Sequence, residues 1–412
     1  MREHLMQHTA RLLLVAAVAG CAGAPAPAPP TYPHEQEPIG TVRQSYDGAL
    51  TPELAVHTFR NIHRLFPSRF IRHGNRVRKL PAAERPLGAV TFTVGDSTLT
   101  LEDYIRRNRV AAMLVLKDGQ VVLERYEFGN TPATRWMSMS VAKSITATLV
   151  GAALLDGSIR SLDDSVTQYV PRLAGSAYAG VAIRDVLMMS SGVRWKETYT
   201  DSTSDRRHLL EAQLSQVPGS AMALMASLPR AAAPGTKNTY STGETQVIGE
   251  VVRGAVKRPL AEYLAERVWG PAGMEADGTW WLDSPDGTEI GGSGISATLR
   301  DYARFGQFIL EDGLVAGTRH IPEGWSRVAG SPKVLRNGTP LHYGYLWWPA
   351  TTTAGKQDSA FAAQGIHGQW VHINPAARVV IVAWGAQVHP TADGPINDEV
   401  VFDAIVRALR QD

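Results

Sequence analysis

Ser140-Val141-Ala142-Lys143 sets a hydroxyl and an amine three residues apart, at the start of a stretch that predicts a helix over 140–154. Positions i and i+3 share a helix face, so the amine can reach the hydroxyl. A serine hydroxyl is a poor nucleophile until a base takes its proton. Lysine serves as that base only when burial and neighbouring groups keep its amine neutral. The helix N-terminus contributes unpaired amides that favour negative charge developing near Ser140. The plain alternative is a helix cap followed by a solvated lysine. The flanks weigh against it, because Trp136, Met137 and Met139 precede the motif and Ile145, Leu149 and Val150 follow.

Positioning such a pair needs a scaffold, and the clearest local signal lies just before it. Lys117-Asp118-Gly119 separates the apolar runs 111–116 and 120–126, and Asp-Gly between such runs predicts a β-hairpin. Upstream, 52–66 has apolar residues at helical spacing and 90–95 predicts a short strand. From 156 to about 285 the pattern predicts helices and loops, with helices at 183–189, 245–256 and 260–268. A further helical pattern over 211–228 is broken at Pro218-Gly219, and 298–310 predicts another helix. Strand signals return at 343–348, 370–373 and 379–384, and an amphipathic helix at 399–409 closes the chain. Strands at both ends with helices between predict a two-lobed α+β fold. One lobe is a mainly antiparallel sheet flanked by helices; the other is all-helical. No internal repeat is present.

Three motifs in order resemble the serine β-lactamase and penicillin-binding-protein-like hydrolases. The likeness is to the branch of class C enzymes, family VIII carboxylesterases and 6-aminohexanoate-dimer hydrolase. Ser140-x-x-Lys143 matches the nucleophile motif. Tyr240-Ser241-Thr242 falls where members carry Tyr-x-Asn, and Ala363-Gln364-Gly365 falls on the strand triplet Lys-Thr-Gly or His-Thr-Gly. LMMSSGVRW (187–195) and GGSGISATLRDYARFG (291–306) also resemble this branch. The resemblance implies a β-lactamase/transpeptidase-like fold and a hydrolase working through an acyl-enzyme. Ser140 would be the nucleophile, Lys143 its base and Tyr240 the proton relay. The amides of Ser140 and Ile366 would form the oxyanion hole. Gly365 and Gly368 permit close backbone approach beside a strand. His367 tempts a Ser-His assignment, but Lys143 and Tyr240 already supply proton transfer, so His367 is expected to be a pocket wall or a hydrogen-bonded structural residue.

Two departures shape the substrate expectation. Thr242 replaces the asparagine that helps hold a β-lactam amide, and Ala363 replaces the lysine that helps engage its carboxylate. Esters or amides lacking that carboxylate are favoured. Tyr199, in WKETYTD, resembles a substrate-side residue of the oligomer hydrolase, though a loop-packing role fits equally. Loops around Tyr199 and Trp280-Trp281 are expected to select the acyl and leaving groups. Two alternatives remain at this level: a β-lactamase or D-Ala-D-Ala carboxypeptidase (penicillin-interacting protein), or a non-catalytic binding protein on the same scaffold.

The chain's beginning and its single cysteine predict export. Arg2 and Arg11 bracket a polar start, and LLLVAAVA (12–19) is too short to span a bilayer. Val18-Ala19-Gly20-Cys21 resembles a bacterial lipobox, which implies a diacylglycerol on Cys21; an ordinary signal peptide with a chance cysteine is the alternative. AGAPAPAPP (22–30) suits a tether. The expected organisation is a lipoprotein signal at 1–20, a Pro/Ala-rich tether at 21–35, an N-terminal extension packing on the body at 36–110, and the hydrolase domain at 111–412 with its helical lobe at about 156–290. The expected location is a bacterial membrane surface facing the periplasm or exterior.

Composition excludes other classes. Lys plus Arg (41) against Asp plus Glu (39) leaves +2, too little field to invite nucleic acid. One cysteine forms no intrachain disulfide or thiolate metal cluster. The 12 histidines lack H-x-x-H or H-E-x-x-H spacing, so no metal is expected. GTEIGGSG (287–294) has neither the P-loop lysine nor G-x-G-x-x-G, so no cofactor is expected and the stretch is predicted to form tight turns bordering the cleft. The partner that the resemblance implies is a small-molecule ester or amide substrate.

Overall fold

A computed structural model describes residues 32–391 and 394–411. The export signal, Cys21 and the 22–30 spacer lie outside the described residues.

The Asp-Gly hairpin forms as expected. Asp118 (φ 51°) and Gly119 (φ 79°) turn Val110–Lys117 back onto Gln120–Tyr126. Alternation along the first strand sends Met113 and Val115 to one core cluster and Ala112, Leu114 and Leu116 to the other. The strand is therefore buried on both faces. Val379–Gly385 pairs with it antiparallel and alternates in the same way. The complete sheet has six antiparallel strands in the order Trp348–Pro349, Phe361–Gly365, Gln369–Asn374, Val379–Gly385, Val110–Lys117, Gln120–Tyr126. Helix Leu299–Leu310, capped by Thr298 Oγ1, covers one face. The C-terminal helix Asp398–Gln411 and helix Leu101–Arg107 share the core on the other. Each fully buried aliphatic side chain in these layers contributes about 1.5–3 kcal/mol.

The all-helical lobe lies between Met137 and Gly278, where the described residues hold no strand beyond isolated bridges. Its central members are Val141–Leu155 and Thr242–Val256, packed against each other. Pro218-Gly219 breaks the helical pattern around it into Asp205–Leu214 and Ser220–Ser227, with Gly219 at φ 77°.

Three expectations need correction. The 343–348 run is not a strand: only Trp348–Pro349 pairs, while the preceding backbone bonds elsewhere, Leu346 N to Leu187 O (3.1 Å) and Tyr345 N to Ala329 O (2.8 Å). An apolar run shows burial but not where its amides find partners. The helix expected over 52–66 ends at Arg60, where buried Asn61 bonds back to His57 O, and resumes as a single 3₁₀ turn, Ile62–Arg64. Trp280 and Trp281 belong to strand Gly278–Trp281, and both are buried. Their indole N–H groups donate to Ile290 O (2.9 Å) and Ile62 O (2.7 Å), so they are core rather than specificity loops.

That strand belongs to a second sheet that the sequence did not suggest. Its antiparallel order is Ser68–Ile71, Gly278–Trp281, Ile295–Thr298, Arg135–Met137. Its last strand delivers the chain to Ser140.

Candidate active site

Ser140 stands where strand Arg135–Met137 gives way to helix Val141–Leu155. Ser138 anchors the turn twice: its amide donates to Ile295 O (2.7 Å), and its hydroxyl accepts from Ile295 N (3.1 Å). Between them Met139 adopts φ 40°, a left-handed conformation that costs a side-chain-bearing residue energy and marks a constrained elbow. Ser140 is the helix N-cap, yet its hydroxyl makes no capping bond and is left free for Lys143.

Lys143 Nζ lies 2.8 Å from Ser140 Oγ and 3.0 Å from Gly292 O. The carbonyl gets this close because residue 292 is glycine, whose Cβ would stand 3.3 Å from Nζ and 3.2 Å from Thr242 and Thr245. The lysine is buried, and that burial lowers its amine to about 7, with Glu197 opposing and Arg206 reinforcing the shift. A substantial neutral fraction therefore exists at neutral pH, as a base requires.

Tyr240 approaches from the other side. Gly235 (φ 77°) turns the chain, and Ser241 caps helix Thr242–Val256 by accepting from Glu244 N (3.2 Å). The phenol lines the same cleft as Ser140, and burial pushes its ionisation up. Its ring stacks on Trp348 at 5.4 Å, and Lys143 Nζ lies 5.5 Å from the ring centroid. The structure thus brings a hydroxyl, an amine and a phenol to one point.

The end of strand Phe361–Gly365 closes the site. The amides of Ser140 and Ile366 take no backbone acceptor among the described turn and loop contacts. Ile366, Ser140, Tyr240 and Tyr199 line a cleft of about 290 Å³, walled further by Trp348 and Trp370. Ala363 is buried in the core beneath, so no cation occupies that strand position.

Tyr199 faces the cleft, and its phenol donates to Glu197 Oε1 (3.0 Å). Thr242 is tied to the same carboxylate through both its amide (2.9 Å) and its hydroxyl. Glu197 also accepts from Trp195 Nε1, so one acidic residue fixes the floor of the site. Sequence reasoning missed it; the signal was a carboxylate two residues before Tyr199, without a periodic pattern to set it apart. His367 borders the cleft, but its imidazole is fully buried. One ring nitrogen meets Ser45 Oγ (3.1 Å) and the other Gln387 O (2.8 Å), and burial lowers its protonation to about 4. No ring edge is left for a substrate. The turn at 287–294 does border the site, through Gly292 and Ser293. Among the described residues no group of three or more His, Cys, Asp or Glu side chains could hold a metal ion.

A β-lactamase family profile matches residues 100–405. The chain belongs to the β-lactamase family. It is a serine hydrolase of the esterase/amidase type, with the β-lactamase/transpeptidase-like fold. Within this family it is 30% identical over 296 residues to 6-aminohexanoate-dimer hydrolase of Paenarthrobacter ureafaciens, covering 68% of this chain and 74% of that one. It is 28% identical over 268 residues to D-aminopeptidase of Brucella ovis, covering 57% of this chain but only 48% of that longer relative. A solved structure from Bacillus anthracis, described as a 6-aminohexanoate-dimer hydrolase, superposes with TM-score 0.74 at 21% identity over 87% of this chain and 93% of that one.

Proposed function

We propose that the protein hydrolyses linear amides or esters, with Ser140, Lys143 and Tyr240 as its catalytic residues; the likeness to a relative named for hydrolysing 6-aminohexanoate dimer supports this. The Ser140–Lys143 contact of 2.8 Å in a buried setting carries this reading. Neutral Lys143 takes the Ser140 proton as Oγ attacks the carbonyl carbon. The oxyanion is held by the amides of Ser140 and Ile366. Tyr240 passes the proton to the leaving amine or alcohol, and water attacking the acyl carbon releases the acid and restores Ser140. Linear substrates are favoured over β-lactams, because Ala363 offers no cation to a β-lactam carboxylate and Thr242 is occupied by Glu197. The test is a side-by-side comparison of kcat/KM for short acyl esters, linear amides and nitrocefin. Nitrocefin turnover rivalling the best linear substrate would overturn the preference. The lipobox-like Val18–Cys21 and the Pro/Ala spacer support a second element of the reading, that this hydrolase is held at a membrane surface by lipid on Cys21.

A further inference from the structure

Four arginines among the described residues are almost wholly buried: Arg60, Arg206, Arg207 and Arg304. Three of them have a carboxylate partner, Arg60 in Glu37 (2.5 Å), Arg207 in Asp47 (2.5 Å) and Arg304 in Asp301 (2.9 Å). Arg206 has none within ion-pairing distance among the described residues. Its guanidinium lies 4.5 Å from the Tyr46 ring centroid and donates to the Tyr46 phenol, while Nε and Nη1 are buried without a hydrogen-bond partner. An unpaired buried charge is among the costliest features a fold can carry. This one borders a compartment of about 10 Å³ whose wall also includes Ser140, Lys143 and Ile366.

We infer that Arg206 is a positioning residue of the hydrolytic site, its charge, held by no contact ion pair beside Ser140 and Lys143, keeping the lysine amine in its proton-accepting form. This rests on the Ser140–Lys143 reading above. The groups facing Lys143 are few. They are Ser140 on its own helix, Tyr240 and Thr242 at the start of the next, Glu197 and Tyr199 from the 195–199 segment, Tyr46 from helix Val42–Asp47 and Arg206 from Asp205–Leu214. Met139, Gly292, Ser293 and Ile366 complete the wall without charge. Two formal charges therefore compete over the amine. Glu197 favours the ammonium, but its oxygens are engaged by Thr242, Tyr199 and Trp195. Arg206 opposes the ammonium; Glu197 acts on it from beyond ion-pairing distance, so its charge is offset but not paired, and the same field favours the alkoxide forming on Ser140. With Ala363 at the strand position, the positive charge that acts on the site enters from the helical lobe.

The test is the pH profile of kcat/KM for wild type and for Arg206→Met, Arg206→Lys and Tyr46→Phe. All are first checked for melting temperature and for fluorophosphonate labelling of Ser140 at pH 9.5. Labelling in every variant, absent from Ser140→Ala, establishes the nucleophile independently of the arginine. Removing the charge raises the affinity of Lys143 for its proton, so the acid limb of Arg206→Met is expected to move up by on the order of one pH unit, about a tenfold loss on the acid side. Arg206→Lys restores the limb, and Tyr46→Phe leaves it in place. The melting temperature of Arg206→Met is expected to hold or rise, since replacing a buried charge by an apolar side chain is often neutral or stabilising. Labelled, folded Arg206→Met with an unmoved limb would overturn the inference. Should the methionine variant not fold, Arg206→Gln, which keeps an N–H for Tyr46 without the charge, is judged by the same two outcomes.

Discussion

Gly365 lies so close to Ser140 that a Cβ on it would stand 3.0 Å from the Ser140 amide nitrogen and 2.7 Å from Ser138 O. Only a glycine lets the strand end press against the turn at Ser140, the approach on which the proposed pairing of the Ile366 and Ser140 amides depends. Gly365→Ala is expected to push the strand away and spoil the oxyanion hole. The loss should appear as about a 10²–10³-fold fall in kcat, with a smaller change in KM. A kcat within threefold of wild type would show that Ile366 N–H is not an oxyanion donor.

The proton-transfer set gives a graded expectation. Ser140→Ala abolishes turnover and fluorophosphonate labelling while the protein stays folded, and Lys143→Ala is nearly as damaging. Tyr240→Phe lowers kcat by about 10²–10⁴ with less effect on KM. His367→Ala, per folded molecule, costs much less. The deciding comparison is Lys143→Ala against His367→Ala in purified protein: an active lysine variant beside a dead histidine variant would replace the Ser-Lys-Tyr assignment with a Ser-His one.

The wild-type pH profile follows from Lys143. Its amine, lowered to about 7 by burial, must be neutral to accept the Ser140 proton. The quantity kcat/KM should therefore rise with pH through about 7 and level off above it. A profile flat from pH 5 to 9 would mean that the lysine does not titrate as the base.

Stability carries a separate signature. His367 is protonated only near 4 in the folded protein, below its ordinary 6.5, because burial disfavours the imidazolium. The unfolded chain thus binds the extra proton between those values, and the stability His367 contributes is full above about 6.5 and lost as pH falls toward 4. The stability of wild type relative to His367→Gln should shrink by up to about 3 kcal/mol across that window and stay constant above it. Denaturant midpoints at pH 4.5 and 7.5 measure it; an unchanged difference would place the imidazole in contact with water.

The proposed anchor has its own test. Expressed in a Gram-negative host, the mature protein should partition into detergent with the membranes, and Cys21→Ala should shift it to unprocessed or soluble forms. Soluble wild-type protein with an unmodified mature N-terminus would end that proposal.

Much of this was legible because its signals are local. The Asp118-Gly119 turn and the i, i+3 spacing of Ser140 and Lys143 are each written within a few residues. Pro218-Gly219 likewise announces a break wherever it occurs. What escaped is non-local. The sheet containing Trp280 joins strands over two hundred residues apart, and four-residue strands carry too few side chains to show a period. Glu197 and Arg206 escaped for a related reason. A charged residue in a polar stretch is ordinarily solvated, and only the approach of Thr242 to one and Tyr46 to the other reveals that these side chains are engaged in the fold.

The site draws on chain segments that cannot meet until nearly all of the protein exists. Ser140 and Lys143 can find each other within a single helical turn, but Ile366 follows a strand held by Gln369–Asn374, and its neighbour His367 is held by Ser45, 322 residues away. The strand after Arg109 has its partner at Val379–Gly385. On the proposed mechanism a partly folded chain would hold a nucleophile and its base without the donors that stabilise an oxyanion. Because those distant pairings must first meet their loop-closure entropy, hydrolytic power is expected only in the fully folded protein.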